Sequence, residues 1–425
     1  MLDIRFIREN VAEIKEAAKN KNVECNIDRL IEVDKIRREF LPKIEAMRSE
    51  QNQASEKIAK AGKDEKADLI SEMKKVSEEL KKLEVDYQKI ETEFRELMYT
   101  VPSVPDSDVP IGKDESENIE LRTWGEIPKF DFEIKDHIAL GQDLDIVDFE
   151  RGAKLSGSRF YFLKNAGVLL EMAVLHFALD KIIEKGFSPM LVPLLVRDEA
   201  MYATGYFPFG REEAYYVEKD ELSLIGTSEV PVTAYHMNEI LKEDDLPKKY
   251  CGISPCFRRE AGSYGKDTKG LYRIHQFQKV EQVIICKGDI EESKKHHEFI
   301  LQNSEEVLQT LKLPYRVMNL CTGDLGAGQI QKFDIETWMP SRNSYGETHS
   351  ASRFYDYQAR RANLKYRDKD GKVHFCHTLN NTVIASPRIL IPIMEIYQQA
   401  DGSIEVPEAL QPYMNGLKKI QKKAN

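Results

Sequence analysis

The sequence predicts an α+β protein: an N-terminal antiparallel helical coiled-coil arm, then a domain built on a mainly antiparallel β-sheet flanked by helices. Three features carry that reading. Apolar residues alternate at three- and four-residue spacing through two long stretches that meet at Gly62-Lys63-Asp64, the pattern of two helices packed along one seam. The segment Val101-Pro-Ser-Val-Pro-Asp-Ser-Asp-Val-Pro110 is too rich in proline to continue a helix and reads as a linker. Beyond about Asn118, short β-type runs and helical stretches mix without strict βα alternation, which argues against a doubly wound parallel sheet.

In chain order, residues 1–24 read as a short amphipathic helix through Ile4, Ile7, Val11 and Ile14. The first seam is Leu30, Val33, Phe40, Ile44, Met47, Ala54, Ile58 and Ala61, with Arg37 and Gln51 at two seam positions. The second is Leu69, Met73, Val76, Leu80, Leu83, Tyr87, Ile90, Phe94 and Leu97. Each helix has about 33 residues and so extends about 50 Å; Pro42 should kink the first. A helix is expected over Asn165–Lys185, capped by Asn165 and ended by Gly186. Strands are expected at Met190–Val196, Glu213–Val217, Leu222–Ile225, Val280–Cys286, Tyr315–Leu320 and Gln331–Trp338, and helices at Val230–Lys242, Ile290–Leu311 and Arg388–Gln399. The expected domains are 1–110 and 111–425.

Composition narrows the class. At roughly 100–200 residues per domain, 425 residues make two or three domains. With 62 basic and 72 acidic residues the net charge is −10, so nucleic acid would have to meet a local basic face: Lys57, Lys60, Lys63 and Lys66 at the hairpin tip, with Lys74, Lys75, Lys81 and Lys82 along the second helix. Such a run is more often a solvated helix face. No apolar run approaches the ~20 residues of a membrane span. The start, Met-Leu-Asp-Ile-Arg, lacks a signal peptide's apolar stretch, and six scattered cysteines without a CxxC pair suggest a reducing compartment. A cytoplasmic protein with no membrane partner is therefore expected. His374-Phe-Cys-His377 fits no zinc spacing, and Cys251 and Cys256 read as small buried residues.

The chemistry concentrates in two segments. Phe257-Arg258-Arg259-Glu260 precedes the glycine-rich stretch 261–270 and then Leu271-Tyr-Arg-Ile-His-Gln-Phe-Gln-Lys-Val-Glu281. A strand, a loop and a returning strand bring Arg258, Glu260, Phe277, Lys279 and Glu281 to one surface. There an arginine fork suits a phosphate, an aromatic face a purine, and a carboxylate an exocyclic amine. An Arg–Glu pair two apart is usually a surface ion pair; the combination is more specific. Arg388 heads an apolar helix, where its charge and the backbone dipole would together suit a polyphosphate.

Phe-Arg-x-Glu at 257–260 and Asn-x-x-x-x-Ala-x-x-Arg at 380–388 resemble motifs 2 and 3 of class II aminoacyl-tRNA synthetases. Thr227-Ser-Glu229, Arg258–Gly265, His275–Glu281 and Asp356-Tyr-Gln-Ala-Arg-Arg361, with the leading hairpin, resemble the seryl-tRNA synthetase family in particular. The resemblance implies motif 1 at about 165–193, motif 2 at about 250–285 and motif 3 at about 378–399. It further implies a homodimer through motif 1, a tRNA(Ser)-binding arm, and ATP, L-serine and Mg²⁺ as ligands. Arg258 would hold the α-phosphate and the substrate carboxylate, Arg388 the γ-phosphate, Glu260 the adenine amine, and Phe277 the ring. Arg259, Thr348 and His349 would join the ATP contacts, with Glu347 and Ser350 as metal positions. Thr227, Ser228 and Glu229 would receive serine, its amino group at Thr227 and Glu229; Glu281 and Thr382 would meet its hydroxyl, beside Asn380. The family's Ser-Ser-Cys-Ser-Asn is here His349-Ser-Ala-Ser-Arg353, and its Asn-Gly-Ser-Gly is Asn380-Asn-Thr-Val383. Pro387 is expected at the first position of the motif 3 helix, with Pro392 one turn in. Rival readings are a synthetase relative that loads a carrier other than tRNA and a non-catalytic tRNA-binding paralogue; charging of tRNA(Sec) is left open.

Overall fold

The computed structural model describes residues 1–60, 62–261 and 269–422, without the side chains of Lys63, Asp64 and Asp68. Most of the glycine-rich stretch 261–270 and the seam residue Ala61 therefore lie outside the described residues. The chain forms two compact units: Leu2–Lys19 with Val23–Pro102, and Met1, Asn20–Asn22 and Ser103–Asn425. The proline-rich segment is part of the second unit from Ser103 on, where Ser103 N–H donates to Ala327 O at 2.8 Å and Asp106 N–H to Ile330 O at 2.9 Å.

In the first unit the expected helix over 1–24 is two helices, Ile4–Glu9 and Val11–Asn20. Asn10 separates them because its side chain donates back to Phe6 O at 2.9 Å, competing with the helical ladder. Helix α1 (Ile27–Lys60) runs on through Pro42 and α2 (Lys63–Thr100) returns from Gly62. The two pack along the seam, where Leu30, Val33, Ile44 and Leu80 are buried. The polar seam positions are paired across it. Arg37 Nε donates to Glu91 at 2.5 Å and its guanidinium lies 4.7 Å from the Phe94 ring, while Gln51 reaches Ser77 at 3.4 Å. Arg29–Glu93 at 2.7 Å and Arg48–Glu84 at 2.7 Å continue the pairing, so sequence number rises on one helix as it falls on the other.

In the second unit, an eight-stranded sheet is formed among the described residues. Its strands are β1 (Ile119–Trp124), β2 (Ser188–Leu191), β3 (Lys248–Phe257), β4 (Gln276–Cys286), β5 (Tyr315–Asn319), β6 (Gln331–Met339), β7 (Ser344–Arg353) and β8 (His377–Ser386). The order β1-β5-β6-β7-β8-β4-β3-β2 is antiparallel except between β2 and β3. Helices α3 (Ala166–Glu184) and α5 (Ile290–Thr310) cover one face, and Leu170, Val174, Ile300, Val280, Ile284, Ala351 and Val383 join one apolar core there.

Several expected elements differ. Met190–Val196 is interrupted at Pro193 into β2 and a short strand Leu195–Val196, since proline lacks the ladder donor. Of Glu213–Val217 only Tyr216–Val217 is strand, after a 3₁₀ turn Arg211–Glu213. Val230–Lys242 is not one helix: α4 (Glu229–Ala234) is short, and Ile240–Lys242 pairs in parallel with Lys365–Arg367. Asn165 does not cap α3 through its side chain; it sits at φ 49° and its amide ties to Asp145 O at 2.9 Å. The third motif's helix is α7 (Leu390–Ile396), after α6 (Tyr357–Ala362), so both Pro387 and Arg388 precede it.

Candidate active site

On the face of the sheet opposite the apolar core, a cavity of about 250 Å³ opens over β4, β6, β7 and β8 and the chain just past the end of β3. Strand alternation builds it. Along β4, Phe277, Lys279 and Glu281 line the cavity while Val280 and Ile284 enter the core. Two β-bulges then reset the alternation. The register between β6 and β7 slips at Thr348, so Glu347 and Ser350, three residues apart, both line the cavity. A second slip, opposite Val280–Glu281 in the β4–β8 pairing, lets Asn380, Thr382 and Ala385 share that wall.

At one end lies Glu281, 2 % exposed. Its carboxylate accepts from the Thr227 hydroxyl and from the Glu229 backbone N–H at 3.2 Å, and pairs with Lys279 Nζ at 2.7 Å; Lys279 also donates to Thr227 Oγ1 at 2.7 Å. Residues 227–229 reach this point because they join the short strand Leu222–Leu224 to α4. Glu229 accepts from Gln358 Nε2 at 2.7 Å. Burial, with the neighbouring Glu281 charge adding to it, pushes the Glu229 carboxyl up to about 7. The floor is polar and paired: Thr382 and Asn380 lie on β8, and Ser352 stands opposite Asn380 across the β7–β8 ladder.

At the other end two guanidinium groups from chain segments 130 positions apart converge on the same cavity. Arg258 continues the β3–β4 hairpin through its N–H to His275 O at 3.0 Å; its Nε donates to Gly226 O at 3.2 Å and its guanidinium lies 5.2 Å from the Phe277 ring. Arg388 is held by carbonyls rather than by a helix dipole, because α7 begins two residues later. Its Nε donates to Tyr272 O at 3.1 Å, its Nη1 to Glu347 O at 3.1 Å, and it stacks 4.5 Å from the Tyr272 ring. Glu260 accepts from Arg273 at 2.8 Å. The Glu347 carboxylate is 45 % exposed and 3.7 Å from Arg388. Burial pushes it up, but Arg388, Lys332, Arg258 and Arg273 together outweigh that and hold it below the ordinary carboxylate range.

Of the expected site residues, Thr227, Glu229, Arg258, Glu260, Phe277, Glu281, Glu347, Thr348, Ser350, Asn380, Thr382 and Arg388 line this one cavity. Ser228, Arg259 and His349 stand outside its lining. Ser228 is fully buried behind Glu281, with Oγ 3.4 Å from it. Arg259 stacks on Tyr215 at 5.6 Å. His349 follows the bulge, and alternation turns it from the cavity; its Nδ1 pairs with Thr348 at 2.8 Å and burial holds the ring down to about 4. Tyr272, Arg273, Gln329, Lys332 and Ser352 also line the cavity; Tyr272 and Arg273 lie in the motif 2 segment and Ser352 in His349–Arg353 without a signal of their own, and no motif marks Gln329 or Lys332. The strand–loop–strand reading places Lys279 on this surface without a role, and its partners show what it does there: it pairs with Glu281 and donates to Thr227. Arg353 is buried away from the cavity, donating to Asp106 at 2.5 Å and Gln331 at 2.8 Å. His374 pairs with Asp368 at 2.7 Å, and Cys251 and Cys256 are buried.

An antiparallel sheet carrying one arginine beside a β-hairpin and another ahead of a short helix, both on one polar cavity, defines a class II aminoacyl-tRNA synthetase core. Residues 215–397 accordingly match the tRNA synthetase class II core domain (G, H, P, S and T), and residues 1–105 match the seryl-tRNA synthetase N-terminal domain. A serine–tRNA ligase of Deinococcus radiodurans is 48 % identical over 98 % of each chain, and one of Finegoldia magna 48 % identical over 97 % of this chain and 98 % of its own. The crystal structure of seryl-tRNA synthetase from Pyrococcus horikoshii complexed with ATP superposes with a TM-score of 0.88 at 38 % identity over the full length of both chains. A cytoplasmic serine-tRNA ligase from Naegleria fowleri in complex with AMP gives 0.84 at 33 % identity, covering 100 % of this chain and 99 % of that one. The chain belongs to the seryl-tRNA synthetase family.

Proposed function

We propose that this chain activates L-serine with ATP as seryl-adenylate and transfers the seryl group to the 3′ end of tRNA(Ser). The observation that carries the reading is the single cavity holding Arg258 and Arg388 at one end and the buried Glu281–Thr227–Lys279 cluster at the other. In-line attack of a carboxylate on the α-phosphate needs alignment and charge neutralisation rather than a protein nucleophile. Arg258 holds both reacting anions, Arg388 takes the γ-phosphate, and Phe277 and Glu260 seat the base. The serine ammonium meets Glu229 and its hydroxyl donates to Glu281. Thr227, the Glu229 N–H and Lys279 all meet one oxygen of that carboxylate, Oε2, so alanine or glycine would leave Oε1 without its donor at about 1–3 kcal/mol.

Oxygen donors suited to Mg²⁺ lie together: the Glu347 carboxylate, the Ser350 hydroxyl and, opposite Ser350 in the ladder, Asp334, whose Oδ1 is buried with no partner among the described residues. Glu347 and Ser350 would hold the ion, which would supply charge neutralisation to the polyphosphate. Val168, Leu169, Met172 and Ile183 on α3 and Leu191 on β2 are exposed, which supports a homodimer through this face. On α1 and α2, Lys57, Lys60, Lys66, Lys74, Lys75, Lys81 and Lys82 are exposed, which supports the arm as the tRNA contact. Among the described residues no helix is long and apolar enough to cross a membrane, and the unpaired cysteines fit the reducing cytoplasm. Purified chain incubated with ATP, labelled serine and tRNA(Ser) transcript should give acid-precipitable seryl-tRNA; no charging above a serine-free control would refute the reading.

A further inference from the structure

Lys21 is 3 % exposed, and its ammonium is surrounded by neutral oxygens. It donates to Ser103 Oγ at 2.9 Å, Ala327 O at 3.1 Å, Gly326 O at 3.4 Å and Gln329 O. Ser103 Oγ in turn donates to Ala327 O at 3.2 Å or Gln329 O at 3.0 Å. Burial pulls this ammonium well below its ordinary value, with no carboxylate among its hydrogen-bond partners to oppose it. Removing such a group from water costs several kcal/mol unless its three protons are all matched, so the arrangement is a demanding one to keep at a mere turn.

What it holds is the wall of the cavity. The turn 326–329 is closed by Gly326 N–H donating to Gln329 Oε1 at 2.7 Å, and Gln329 Nε2 donates to Ser352 Oγ at 2.8 Å. Gln329 and Ser352 both line the cavity, Ser352 faces Asn380 across the ladder, and Asn380 lines the same cavity as Glu229 and favours the charged form of its carboxylate. The two arginines are anchored elsewhere, on Gly226, Tyr272 and Glu347 carbonyls. From this geometry we infer that Lys21 is a positioning residue for the amino-acid end of the cavity, fixing the turn 326–329 so that Gln329, Ser352 and Asn380 present Glu229 to the substrate ammonium.

The inference rests on the proposed serine activation and deepens it. The test is ATP–pyrophosphate exchange by the full chain carrying Lys21→Met, Lys21→Arg or Ser103→Ala, with KM for serine and for ATP measured separately. A displaced wall costs orientation on one substrate, so Lys21→Met should raise KM for serine about tenfold and leave KM for ATP within about twofold. Lys21→Arg, which can still donate to carbonyls, should recover most of the loss, and Ser103→Ala should raise KM for serine about two- to threefold. Should Lys21→Met not fold, Ser103→Ala and Lys21→Arg decide. Equal rises in both KM values, or an unchanged KM for serine in Ser103→Ala, would overturn the inference while wild-type exchange continues. Absence of serine-dependent exchange in the wild type would instead remove the proposed function itself.

Discussion

Glu281 and Lys279 form an ion pair in which both side chains are at most 5 % exposed, so removing either charge strands the other in a low-dielectric site. Glu281→Gln should lower serine-dependent exchange by about a hundredfold or more and narrow the preference for serine over alanine, as the charged acceptor of the hydroxyl becomes a neutral, weaker one; kcat/KM for the two amino acids checks it. Glu229 supplies a pH test. Its carboxyl is raised to about 7, so it is largely protonated at pH 6 and largely ionised at pH 8, and a bound ammonium favours the ionised form. Serine binding near pH 6.5 should therefore release a proton and strengthen as pH rises through 7. Calorimetry in buffers of different ionisation enthalpy reads that proton, and Glu229→Gln should abolish it. At this scale the sequence was legible wherever a motif fixed the spacing, as for Arg258, Glu281 and Arg388. Tyr272, Gln329 and Lys332 carry no pattern of their own: they reach the cavity from the return of a loop, from the turn 326–329 and from β6.

The strands β7 and β8 set the limit of pattern reading among the elements. Ser344–Arg353 and His377–Ser386 are rich in Thr, Ser, Asn and His and lack an apolar alternation, yet both are largely buried, since one face meets the core and the other a polar cavity. The bulge at Thr348 is equally invisible, although it is what lets Glu347 and Ser350 share a wall. Helix periodicity fared better where one face alone is apolar, as in α5, expected at Ile290–Leu311 and found at Ile290–Thr310. On β3, Gly252 lies directly under residues 227–229. A Cβ there would stand 2.5 Å from Ser228 Oγ and 2.7 Å from its Cβ, so Gly252→Ala must push the turn that carries Thr227 and Glu229. The overpacking should cost about 1–3 kcal/mol of stability, visible as a lowered melting temperature, with a raised KM for serine.

For the whole molecule, the two units divide the proposed work. The seam of the helical hairpin was legible at its described positions, down to Arg37 and Gln51, because a heptad pattern is local; the cavity needed segments brought together from residues 227 to 388, of which the residue pattern alone placed only the 257–281 hairpin on one surface, the rest following from the family resemblance. Removing residues 35–95 should abolish charging of tRNA(Ser) and leave adenylate formation near wild type; a truncated chain that charges tRNA normally would refute the arm's role. The most direct test of the central claim, that two distant guanidinium groups act on one nucleotide beside a serine pocket, is ATP–pyrophosphate exchange over serine, threonine, alanine and glycine with wild type, Arg258→Ala and Arg388→Ala. Exchange should be fastest with serine, and each arginine variant should lose about a hundredfold or more. Exchange indifferent to serine, or either arginine variant exchanging at the wild-type rate, would contradict it.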